Sequence, residues 1–301
     1  MGTKASFESW DNPEVVRIDR ELIFWLDDPR CQEAKLVGGK AASLARLASN
    51  QNVPPGFAIP RVSARRTGSI PALLRQALES AYRELGEKCG IQHPAVAVRS
   101  SALDEDGAQT SFAGMHDTFL NVVGPHAILA AIEKSWASAL STRAIAYRRK
   151  QGLTVDGIRI AVLVQLLVPA DVSGVAFSLN PMTGSHDEIV NNAGWGLGES
   201  IVGGTVTPDT IIIRKSDLAI LDQQIGSKRR MTVAVIGGTK EVLVPGFLQE
   251  QACLKADEAQ AIARMARQLE HEIGAPVDIE CAIANGELFL LQCRPVTAQP
   301  S

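Results

Sequence analysis

The sequence predicts a mixed α+β fold, or an α/β fold of two lobes. Strand-type and helix-type patterns alternate along the chain without the simple βαβ period of a doubly wound sheet. The 301 residues, 46% hydrophobic and 21% charged, suffice for one large unit or two average domains with a real core. Clusters of glycine, proline and asparagine punctuate the periodic segments.

Residues 1–34 are polar with scattered aromatics (Phe7, Trp10, Trp25) and read as a lead-in segment. A helix follows the Gly38-Gly39 pair over 40–49, its apolar positions Ala41, Leu44, Leu47 and Ala48 on one face. Asn50-Gln51-Asn52 and Pro54-Pro55-Gly56 stop it. A second amphipathic helix is predicted over 70–88, with Pro71 tolerated in its first turn. The apolar run 95–98 after Pro94 reads as a buried strand, and 127–150 as one long helix. Arg143, Arg148, Arg149 and Lys150 suit the negative end of that helix. Strands are expected over 158–168, 174–177 and 210–213, a helix over 257–273 and a hairpin over 277–296. The glycine-rich stretch 191–209 reads as loop.

Thirty basic and thirty-three acidic side chains give a net charge of −3, which excludes a nucleic-acid binder driven by bulk charge. The longest apolar stretch, 158–169, contains Arg159 and Gln165 and falls short of the ~20 residues of a membrane helix. Five widely spaced cysteines without a Cys-x-x-Cys pair argue against a disulfide framework or a zinc site. The N-terminus lacks an apolar export core, so the expectation is a cytoplasmic protein. The five histidines fall in no metal-binding spacing.

The terminal hairpin is the most informative stretch. A three-residue loop, Ala284-Asn285-Gly286, would pair 283 with 287, 281 with 289, 279 with 291 and 277 with 293. Alternation then gathers Val277, Ile279, Cys281, Ile283, Phe289, Leu291 and Cys293 on an apolar face. The opposite face carries Asp278, Glu280, Gln292 and Arg294, with Gln292 across from Asp278 and diagonal to Glu280. A two-residue loop would separate Gln292 from Glu280, so the hydrophobic pattern favours the three-residue loop. Two carboxylates and an amide oxygen suit Mg²⁺; an exposed sheet face with an Asp–Arg pair accounts for them equally well.

Gly38-Gly39-Lys40 at a helix start could approach an anion, or could be a helix start with a solvated lysine. Arg99, leaving a strand beside Ser100 and Ser101, could hold a phosphate or pair with the acidic run 104–106. Gly194-x-Gly196-x-Gly198 lacks the βαβ context of a dinucleotide site.

Together these segments resemble the N-terminal ATP-binding domain of the dikinase family: phosphoenolpyruvate synthase, pyruvate phosphate dikinase and rifampicin phosphotransferase. The matching stretches are Val37-Gly-Gly-Lys-Ala-Ala-Ser-Leu44, Val53-Pro-Pro-Gly-Phe57, Val98-Arg-Ser-Ser-Ala102, Ser111-Phe-Ala-Gly114 and Asp117-Thr-Phe-Leu-Asn-Val122. Ser173-Gly-Val-Ala-Phe177, Gly196-Leu-Gly-Glu-Ser200, Val206-Thr-Pro-Asp209 and Gln292-Cys-Arg-Pro-Val-Thr297 continue the series in order. The resemblance implies an ATP-grasp fold over 35–301, with nucleotide in a cleft between two lobes. It implies that Lys40 and Arg99 contact the triphosphate, with Gly114 and Thr118 in the segment covering it. Gln165 falls on the adenine side; Glu280 and Gln292 would hold Mg²⁺ with Asp278 nearby; Arg294 would bind phosphate. Lys40, Arg99 and Arg294 are thereby the expected catalytic groups. Met115 departs from the glutamine common in relatives.

In such enzymes Mg-ATP is cleaved to AMP and phosphate. The β-phosphate passes through a histidine on a separate domain or partner chain to a small-molecule acceptor. No stretch of this sequence matches the phosphohistidine domain or the acceptor domain. The alternatives are a self-sufficient kinase acting directly on a small molecule, or a nucleotide-binding module without turnover. Neither a membrane nor a nucleic-acid partner is expected.

Overall fold

The computed structural model describes residues 22–63, 70–102, 106–107, 110–111, 118–138, 140–150 and 159–296. The chain forms two antiparallel sheets. The first has the order β1-β2-β7-β3-β6, from β1 (Phe24–Trp25), β2 (Gly56–Ser63), β3 (Ala95–Ser101), β6 (Thr118–Val123) and β7 (Arg159–Leu166). β4 (Asp106–Gly107) and β5 (Thr110–Ser111) form a separate two-stranded pair. Helices α2 (Ala72–Cys89) and α3 (Pro125–Ser138) bring Leu78, Leu85, Ile128 and Ile132 onto Phe57, Val98 and Val164 to make its core. Residues 24–32, inside the predicted lead-in, supply the edge strand β1 and the buried Phe24, Leu26 and Cys31.

The second sheet has the order β11-β10-β9-β8-β14-β15. Its strands are β8 (Val172–Phe177), β9 (Glu188–Trp195), β10 (Asp209–Arg214), β11 (Ile220–Gln224), β14 (Val277–Ala284) and β15 (Glu287–Pro295). Helix α6 (Ala256–Ile273) lays Ile262, Ala266 and Leu269 on it. Between the sheets runs α1 (Ala34–Leu47), whose Val37, Ala41 and Leu44 share one core with Leu163 of the first sheet and Ile279 of the second. A separate two-stranded ribbon, β12 (Arg230–Val235) and β13 (Gly238–Leu243), projects from the second lobe.

Several expectations need correction. A helical segment does follow the glycine pair, but helix begins earlier than expected, at Ala34, and the two segments meet at a kink at Gly38. Gly38 sits at φ 79°, so Lys40 opens a new segment rather than the helix itself. The long helix over 127–150 is two helices, α3 and α4 (Thr142–Lys150). Ser141 Oγ accepts the Ala144 amide at 3.2 Å and caps the second of them. The glycine-rich stretch is not all loop. Residues 191–195 complete β9 in the middle of the sheet, and 199–202 make the single turn α5 (Glu199–Val202). Asn191 survives there because its Nδ2 donates to the Ala259 carbonyl, and a Cβ on Gly194 would press on Ile201 at 3.3 Å.

The terminal hairpin turns on two residues, not three. Asn285 and Gly286 both take positive φ (52° and 79°), the geometry of a two-residue hairpin turn. A bulge follows: Glu280 pairs with Gln292 and Cys281 with Leu290, leaving Leu291 unopposed. The expected pairs are therefore replaced throughout. Beyond the bulge Asp278 faces Arg294 and Ile279 faces Cys293. Phe289 and Leu291 leave the face shared by Val277 and Ile279 and pack with Val168, Ala282 and Ala284, while Leu288 and Leu290 take their place.

Candidate nucleotide cleft

A cavity of about 480 Å³ opens between the two sheets. Its lining includes Lys40, Arg99, Thr118, Gln165, Glu280, Gln292 and Arg294, contributed by α1, β3, β6, β7, β14 and β15. Gly114 lies outside the described residues.

One end of the cleft is ionic. Arg99 leaves β3 beside Thr118, its partner in register, and crosses to the other lobe. Its Nη2 donates to Glu280 Oε2 at 2.7 Å and to Gln292 Oε1 at 3.0 Å, and its Nη1 to the Leu291 carbonyl at 2.9 Å. The bulge explains the last contact, because Leu291 has no cross-strand partner there. Lys40 reaches this end because of the kink. Gly39 N bonds the Ala102 carbonyl at 3.1 Å and Ser101 Oγ accepts the Ala41 amide at 3.1 Å, pinning the helix segment to the end of β3.

Asp278 does not line the cavity. It is 7% exposed and accepts from Arg294 Nε at 2.8 Å and Nη2 at 2.6 Å. Burial holds its pKa above the ordinary carboxylate value of 3.8, against the lowering by Arg294. Cys281 closes the floor, its thiol pushed up to about 12 by burial and by the neighbouring Glu280. It is no nucleophile.

The other end is largely apolar. Gln165, 2% exposed, is held by a 3.0 Å bond from Nε2 to the Pro54 carbonyl. Leu166, Leu167, Val168 and Ala170 carry the chain from the first sheet into β8 and form one wall. Leu197, Gly198, Glu199 and Ile201 form another. Sequence reasoning gave these residues no role, although 196–200 belonged to a matching motif; apolar wall residues carry no chemical signature of their own.

The residues present fit a divalent cation. A carboxylate and an amide oxygen converge, and the Arg99 guanidinium bridges those two atoms, marking a place where positive charge is accepted. Among the described residues there is no cluster of three or more His, Cys, Asp or Glu side chains that could hold a metal by protein ligands alone. Mg²⁺ usually takes one or two carboxylates and keeps waters and phosphate oxygens in the rest of its shell.

Two lobes frame a cleft that is ionic at one end and apolar at the other, the form of a small-molecule site. Comparison with known proteins then places it. Residues 62–301 match the family model described as "Pyruvate phosphate dikinase, AMP/ATP-binding domain", and the chain belongs to that family. It is 35% identical to the probable phosphoenolpyruvate synthase of Methanocaldococcus jannaschii, over 92% of this chain and 27% of that protein. It is 33% identical to the phosphoenolpyruvate synthase of Aeropyrum pernix, over 93% of this chain and 43% of that one. It is also 33% identical to the rifampicin phosphotransferase of Streptomyces sviceus, over 88% and 34%. The chain thus spans between about a quarter and under half of the length of these relatives. Among the described residues no helix is long and apolar enough to cross a membrane.

Proposed function

We propose that the cleft binds Mg-ATP and serves as the nucleotide-cleaving part of a dikinase. In this reading ATP yields AMP and phosphate, the β-phosphate passing to a histidine on another domain or chain and then to a small-molecule acceptor. The observation that carries it is the Arg99 guanidinium shared between Glu280 Oε2 and Gln292 Oε1. Cation and oxygen ligands here satisfy one another, and a magnesium triphosphate offers each a better partner: phosphate for the arginine, metal for the oxygens.

Glu280 and Gln292 would hold the metal, with Asp278 keeping Arg294 oriented through its two bonds. When bound, Mg²⁺ neutralises charge on the transferring phosphoryl group. Lys40, Arg99 and Arg294 bring positive charge to the same end, so the chain's contribution is positioning and charge stabilisation. The apolar walls at 166–170 and 197–201 receive the nucleoside, with Gln165 on the base side, and exclude water. Thr118, which lines the cleft beside Arg99, stands on the phosphate side. The names of the relatives support phosphotransfer; the acceptor is left open between them.

The test is a product assay. Mg-ATP, this chain and a histidine-bearing domain from a relative should give AMP, phosphate and an acid-labile phosphohistidine. ADP as the sole nucleotide product, with a phosphorylated small molecule and no phosphohistidine, would replace this reading with that of a self-sufficient kinase.

A further inference from the structure

The lobes also meet at the tip of the β12–β13 ribbon. In β6, Leu120 and Asn121 together oppose the single residue Ala97, since Val96 pairs with Val122 and Val98 with Phe119. Asn121 takes φ 55°, the left-handed region that asparagine tolerates better than most residues. The bulge leaves Phe119 and Val122 in the first lobe's core, Thr118 and Leu120 on the cleft, and Asn121 aimed outward. There its Nδ2 donates to two carbonyls at the tip of the β12–β13 ribbon, Val235 at 2.6 Å and Gly238 at 2.7 Å.

The ribbon is fixed at its other end too. Lys228, fully buried, pairs with the Asp209 carboxylate and donates to the Gly226 carbonyl at 2.9 Å. In between, the Thr232 carbonyl accepts the Leu197 amide at 2.9 Å. The approach is so close that a Cβ on Gly196 would lie 2.4 Å from that oxygen. Leu197 and Gly198 line the cleft. The ribbon therefore ties a cleft wall of the second lobe, through Thr232, to a cleft strand of the first, through Asn121.

We propose that Asn121 is a positioning residue for nucleotide binding: by clasping the ribbon tip it sets the gap at the nucleoside end and the rate at which nucleotide leaves. This rests on the nucleotide-binding reading above. Both donors go to backbone carbonyls and neither partner lines the cleft, so ligand does not compete for the clasp. The ionic contact at Arg99 is, in contrast, made of groups that Mg-ATP would take for itself.

Asn121→Gly tests this, because glycine keeps the left-handed backbone and removes only the amide. Dissociation of a fluorescent ATP analogue with Mg²⁺ should accelerate about tenfold, as expected for losing two hydrogen bonds. In the full reaction the change should fall on KM for ATP, not on kcat. Asn121→Asp, which keeps the shape and loses the donors, should behave alike. Ribbon amides 230–243 should exchange hydrogen faster in nucleotide-free Asn121→Gly than in wild type. Wild-type binding with unaltered dissociation in both variants overturns the clasp alone, as does unchanged ribbon exchange. Wild-type protein that binds no nucleotide overturns the functional reading on which the clasp depends.

Discussion

Two of the contacts between the lobes, the ionic one and the ribbon clasp, differ in kind. At one end Arg99 reaches Glu280 and Gln292, a charge-assisted contact between groups that a metal and a phosphate would also claim. Elsewhere Asn121 holds two backbone carbonyls, Val235 and Gly238, that do not line the cleft. In the proposed function the first holds the place of the reactants, and the second is part of the frame. A site therefore need not rely on one interaction both to hold its walls together and to bind its ligand.

The largest expected effect lies under the ionic end. Gly38→Ala would put a Cβ 1.8 Å from the Ser101 carbonyl oxygen at a residue with φ 79°. Urea denaturation should show a loss of more than about 3 kcal/mol, since backbone must move and a left-handed alanine is strained besides. Next comes Arg99→Met, which removes the ionic contact without touching the clasp. Turnover of Mg-ATP in the presence of the histidine domain should fall about 100-fold, the scale for one group stabilising transferring charge. Ribbon exchange should stay at the wild-type rate. Turnover near wild type would separate Arg99 from the chemistry.

A gentler probe is ligand itself. Mg-ATP should slow amide exchange over 290–294, where Gln292 and Arg294 face the cleft, more than over the ribbon strands 230–243. The reverse order would exchange the roles assigned to the two ends. The smallest effect concerns Asp278, whose folded pKa is raised by burial. Folded protein holds a proton that unfolded protein releases above 3.8, so stability falls as pH rises through the folded value. Asp278→Asn should remove that slope from thermal melts taken upward from pH 3.8, and an unaltered slope would assign it to another group.

The two ends also differed in legibility. Lys40, Arg99, Glu280, Gln292 and Arg294 stand in motifs of charged and amide groups, and all of them line one cleft. In the terminal hairpin the shared face of these residues does not depend on the predicted register. The turn is one residue shorter than expected and the bulge shifts the pairing by one residue more, so the parity of Asp278, Glu280, Gln292 and Arg294 is restored beyond it. Between turn and bulge nothing compensates, and Phe289 and Leu291 changed faces. Period-two reasoning survives an even shift and fails on an odd one.

The clasped end left weaker traces. Asn121 is one polar residue in an apolar strand, and its bulge depends on pairing with a distant strand. The ribbon carried a local signal, Gly237-Gly238 between alternating valines, but its attachment is made by carbonyls that no side-chain pattern reports. The same holds for β9, where central placement in the sheet overrode a composition rich in asparagine and glycine.

The ionic end is proposed to receive Mg-ATP. Calorimetric titration of Mg-ATP into wild type, Lys40→Ala and Glu280→Ala tests it most directly, with circular dichroism confirming that all three are folded. Wild type should bind, and each variant should bind at least about tenfold more weakly, a loss of about 1.4 kcal/mol or more. Equal affinity in all three proteins, or no binding by wild type, would contradict it.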